Sequence, residues 1–131
     1  MKLLAYEVDK RSFLGVLNED ETWVYPVSAA GMEYRSMKDL IREAGPSEME
    51  MLDYISKKMP GDVTGAASVE EIKVVSPIAE PDQDIICLGI NYMDHAKESA
   101  RFKKEEFSKP EKAIYFSKRV NRTNDPDGII P

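Results

Sequence analysis

No apolar run in this chain is long. The most continuous, residues 85–90 (Ile-Ile-Cys-Leu-Gly-Ile), lies between Asp84 and Asn91. It is far short of the ~20 residues needed to span a bilayer. Runs this short build strands and short helices that must share a core. The chain has 131 residues, 42% hydrophobic and 32% charged, the balance of a globular protein and not of a disordered one. A domain of this size buries a core without staples. The single cysteine, Cys87, rules out a disulfide within the chain and a Cys-rich zinc site. The opening Met1-Lys2-Leu3-Leu4-Ala5-Tyr6-Glu7 lacks the apolar region and cleavage site of a signal peptide. These features predict a soluble, cytoplasmic protein with no membrane partner.

Charge is unevenly spread. Residues 1–95 hold 9 basic and 18 acidic side chains, whereas residues 96–122 hold 9 basic and 4 acidic, within a total of −6. A basic stretch behind an acidic body can attract a small anion. It is too mixed in sign, and too poor in glycine and aromatics, to argue for nucleic acid.

The first half reads as a small α+β unit. Leu4, Tyr6 and Val8 alternate with Ala5 and Glu7, as in a half-buried strand. Residues 14–17 and 22–27 flank Asn18-Glu19-Asp20-Glu21, a loop of hairpin length. Trp23 and Tyr25 share one face of the returning strand. Two helices follow. Ser36 caps the first, Leu40 and Ile41 form its apolar side, and Gly45-Pro46 ends it. Ser47 and Glu50 form a capping box for the second. Its core face is Leu52, Ile55 and Met59, and the Met-rich surface is expected to be core.

Residues 61–68 read as a connection and 71–75 as a strand. Residues 77–81 form an extended, proline-bounded linker. The expected division is residues 1–76 and 77–131. Beyond it, Ile85-Ile86-Cys87-Leu88 and Ala113-Ile114-Tyr115-Phe116 read as strands buried on both faces. Asn91 is a helix cap, and helical character is expected towards Phe102. Residues 123–131 read as loop.

The single histidine, His95, opens that helix, with Glu98 three residues on. Such positions lie on one helix face, with Cβ atoms about 5–6 Å apart. Glu98 can accept from one imidazole nitrogen, which selects the tautomer and raises the basicity of the other. The pair can take a proton from water or from an acidic carbon. Cys87, within an apolar run, reads as buried and inert.

The segment Ile85-Ile86-Cys87-Leu88-Gly89-Ile90-Asn91-Tyr92-Met93-Asp94-His95-Ala96-Lys97-Glu98 resembles the start of the catalytic core of the fumarylacetoacetate hydrolase family. Ser76-Pro77-Ile78 and Pro81 resemble its proline-rich lead-in. Ala113-Ile114-Tyr115-Phe116-Ser117-Lys118 resembles its Phe-x-Lys strand, and residues 125–131 its following loop. The resemblance covers roughly residues 75–131, and the preceding part is similar to the family's variable N-terminal domain. The fold it implies is an α+β N-terminal domain, then the first strands and lid helix of a mostly β core.

By the same resemblance, His95 is the catalytic base and Glu98 its orienting partner, on a lid that reaches Lys112. Asn91 and Tyr92 shape the turn and are candidates for substrate contact, as is Lys118 for an anionic substrate or enolate. Ile90, where some relatives have Arg, and Arg119, where many have Pro, leave the substrate open. The family's Mg2+ or Ca2+ is held by a Glu-x-Glu pair and a later Asp. This chain shows no such ligands in that context, and it is expected to be a fragment. Glu19-Asp20-Glu21 and the pair Glu48 and Glu50 read as solvated surface.

The expected activity of the intact protein is hydrolysis of a C–C bond in an acylpyruvate-like 2-oxo acid, with the dyad activating water. Alternatives are isomerisation or decarboxylation at the same site, or a non-catalytic binding or dimerisation module. A homodimer is the implied assembly.

Overall fold

The computed structural model describes residues 1–89, 97–98 and 112–130. They form a mixed α+β fold in two compact units, one of residues 1–79 with 123–131, the other of residues 80–122. In the first unit, β1 (Leu3–Val8) and β2 (Arg11–Leu17) pair antiparallel. Their two-residue turn, Asp9-Lys10, has φ of 50° and 64°, the geometry that matches the strand twist. β3 (Trp23–Pro26), β4 (Ala67–Ser68) and β5 (Lys73–Val75) complete an antiparallel sheet in the order β4-β3-β2-β1-β5. The loop between β2 and β3 is tied by Asn18, whose Oδ1 accepts from the N–H groups of Thr22 and Trp23 at 2.9 and 3.0 Å.

One sheet face packs on two helices. Val16 and Tyr25 are register partners, so their side chains share that face, and they cluster with Val27, Met37, Leu40, Leu52, Ile55 and Val63. Each large aliphatic side chain fully buried there contributes about 1.5–3 kcal/mol. The opposite face is closed from within the sheet. Tyr6 stacks on Phe13 with centroids 5.5 Å apart. A Cβ at Gly15 would sit 2.8 Å from the Tyr6 ring and 2.5 Å from Val24. The missing side chain at Gly15 therefore makes room for Tyr6, and Tyr6 and Val24 are both buried on this face.

α1 (Met37–Glu43) is capped by Ser36, whose hydroxyl accepts from the Asp39 N–H. Leu40 is buried, but Ile41 is exposed, because the next residue lies about 100° further round the helix, off the core-facing stripe. α2 (Pro46–Ser56) is capped by Gly45, two residues before the expected Ser47 cap. Pro46 takes the first helical position, where its missing N–H costs nothing, and Glu48 Oε2 accepts from the Gly45 N–H at 3.1 Å. The helix ends at Ser56, so Met59 lies beyond it and is 71% exposed. Of the expected core face, Leu52 and Ile55 are buried and Met59 is not. Residues 77–80 turn and bend where an extended linker was expected.

In the second unit, β6 (Ile85–Gly89) and β7 (Ile114–Lys118) form a two-stranded antiparallel ribbon. Both strands were expected to be buried on both faces, and that is corrected: Ile86 is 75% and Tyr115 65% exposed. Two strands have no layer to cover them among the described residues. No described helix is long and apolar enough to cross a membrane.

Candidate functional site

β6 carries the chain towards the histidine motif. The antiparallel register pairs Ile85 with Lys118 and Gly89 with Ile114, so β7 starts beside the end of β6 and finishes beside its beginning. Lys118 is exposed at that far end. Four residues of strand at ~3.4 Å each put it about 14 Å along the ribbon from the point where the chain leaves for Asn91. Glu98 is helical and exposed, as is its neighbour Lys97. Asn91, Tyr92 and His95 lie outside the described residues, as does most of the expected lid over residues 97–112.

Two of the acidic side chains singled out as solvated surface, Glu21 and Glu48, have partners. Glu21 forms an ion pair with Lys2 at 2.5 Å. Glu48 accepts backbone and Ser47 hydrogen bonds, its own N–H first among them, which hold its carboxyl below the usual range. Among the described residues no group of three or more His, Cys, Asp or Glu side chains could hold a metal ion.

A polar cluster that sequence reading missed joins Ser76, Thr123 and Asp125. The Ser76 N–H donates to Asp125 Oδ1 at 2.9 Å. The Thr123 N–H and hydroxyl donate to the carbonyls of Ala79 and Ile78, each at 2.8 Å. Ser-Pro and Asn-Asp-Pro pairs signal turns but not which turns meet. Both stretches had been singled out, separately, for the family resemblance.

No family model matches the chain. It is 30% identical over 128 residues to the oxaloacetate tautomerase YisK of Bacillus subtilis (strain 168). The match takes in 90% of this chain and 41% of that protein, so the chain spans less than half the length of its relative. The similarity corrects the expected activity. A tautomerase moves a proton and cleaves no C–C bond, so the similarity fits the isomerase alternative better than hydrolysis.

Proposed function

We propose that this chain is part of an enzyme of the fumarylacetoacetate hydrolase family that interconverts the keto and enol forms of a small 2-oxo dicarboxylate such as oxaloacetate. The similarity to a tautomerase over 90% of the chain carries this reading. The motif Asn91-Tyr92-x-x-His95-x-x-Glu98 supports it independently. In the same reading β6 and β7 open the family's β core, residues 97–112 act as a lid and the intact protein is a dimer.

The reaction needs a base at the carbon next to the ketone and a proton at the ketone oxygen. His95 takes the C–H proton on its free ring nitrogen and, as imidazolium, supplies a proton to the developing enolate oxygen. The carbon skeleton is untouched and the base ends as it began. Glu98, one turn away, holds the other nitrogen and stabilises the imidazolium between the two transfers. The positive balance of residues 96–122 draws in a dianion, and Lys118 offers an ammonium to a carboxylate or to the enolate. The family resemblance implies Mg2+ or Ca2+. The described side chains do not fit such an ion, and no step here is routed through one.

The test is the rate of enol loss from oxaloacetate with the complete gene product. His95→Ala should lower it by roughly 10²–10⁴, the usual worth of a general base, and Glu98→Gln by less. An unchanged rate in His95→Ala contradicts the assignment.

A further inference from the structure

The stretch that bears His95, Glu98 and Lys118 leaves the first unit after Ala79 and returns at Thr123. Those two points are bonded directly, Thr123 N–H to Ala79 carbonyl. The Thr123 hydroxyl gives its proton to the Ile78 carbonyl at 2.8 Å, which leaves its oxygen to accept from the Ser76 hydroxyl. Ser76 is 8% exposed, one of two buried polar residues among the described residues. Its N–H is taken by the Asp125 carboxylate, whose other oxygen lies 3.4 Å from Lys73 Nζ. Lys73 sits on edge strand β5 opposite Glu7, 3.8 Å from its carboxylate. The tie is thus seated on the sheet, and every donor in it has an acceptor.

An exposed backbone end needs only one such bond. Here two hydroxyls, two amides and a carboxylate converge from positions 44 to 49 residues apart. Closing a loop of that length costs several kcal/mol of chain entropy. A tie inside the first unit takes that cost away from the ordering of the stretch between. Proton transfer is sensitive to such ordering, because a 1 Å misplacement can lower a rate by about 10²-fold.

We propose that Ser76, Thr123 and Asp125 are positioning residues, a clasp that joins the exit and return of residues 80–122 and so fixes the two ends of the stretch carrying His95. The activity arm of the test rests on the tautomerase reading; the other two arms do not.

Thr123→Val removes the hydroxyl and keeps the shape, and Thr123→Ser keeps the hydroxyl. In the complete gene product, Thr123→Val should speed hydrogen exchange in peptides spanning positions 79 and 123 by about tenfold, the worth of a lost hydrogen-bond pair. Peptides of β1 to β3 should stay protected. The ring-proton resonance of His95 should shift or broaden, with kcat falling more than KM rises. Thr123→Ser should restore all of these. Ser76→Ala, which spares every backbone bond, should move the same readouts in the same direction, and it serves if Thr123→Val does not fold. Unchanged exchange overturns the clasp. Faster exchange with an unmoved His95 resonance also overturns it, leaving only a staple of the first unit. A wild-type protein inert towards oxaloacetate would overturn the tautomerase reading while exchange and resonance still decide the clasp.

Discussion

Tyr25 joins packing, hydrogen bonding and titration in one side chain. Its ring is fully buried in the helix-facing core, and its hydroxyl donates to the Lys58 carbonyl at 2.7 Å. Burial pushes that hydroxyl above its ordinary 10.0, and the charges of Asp20 and Asp62 push the same way. The folded state therefore keeps a proton that the unfolded chain gives up. The stability linked to it is present in full below the unfolded value and is lost as pH rises through the folded one. Tyr25→Phe should cost about 1 kcal/mol at neutral pH through the orphaned carbonyl, and it should flatten the loss of stability above pH 10.0. Urea unfolding on both sides of that pH reads both effects, and an equally steep alkaline loss in the variant contradicts this account. Sequence gave away the neighbours of Tyr25 on its own strand, because alternation is local. It did not give away Lys58, which lies 33 residues on and is brought to the hydroxyl by the path of α2.

Among the elements, those held by nearby residues were legible and those held by distant ones were not. The Ser36 cap was readable because its acceptor and donor lie three residues apart. The start of α2 was misread because Pro46, which fits the first helical position, was taken only as the end of α1. β4 passed unnoticed as a two-residue strand that exists only by pairing with β3. Gly15 shows how a strand can depend on a residue with no side chain. Gly15→Ala would drive a methyl into Val24, Tyr6 and the Tyr25 carbonyl, and should cost about 1–3 kcal/mol, as overpacking does. A wild-type urea midpoint in that variant would contradict the close approach. The ribbon of β6 and β7 was legible as strands but not in its burial, which depends on what lies against it. Ile86, Leu88 and Tyr115 share one of its faces by register and all are exposed. An apolar, two-stranded ribbon is marginal alone and prone to pair with others. Ile86→Lys in the 131-residue chain should therefore reduce self-association in sedimentation and weaken binding of an apolar dye. No change in either would mean that the ribbon is not the sticky surface.

At the scale of the whole molecule, sequence pointed to an α+β chain with a general base on the stretch after β6. The basic return from that stretch, residues 96–122, is where a dicarboxylate would be drawn. What sequence could not separate was the fate of the enolate, since hydrolysis, decarboxylation and tautomerisation all pass through one. Similarity to a tautomerase fits proton transfer better than cleavage, and the proposed function rests on that. The clasp of Ser76, Thr123 and Asp125 was equally hidden, because its partners are remote in sequence and each is an ordinary turn residue. The most direct test follows oxaloacetate with the complete gene product, recording the ultraviolet band of the enol while measuring pyruvate and any other cleavage product. The account predicts that the enol decays faster with protein than without it, that carbon skeletons stay whole, and that His95→Ala removes the acceleration. Catalysed cleavage with no acceleration of the enol–keto exchange would contradict it.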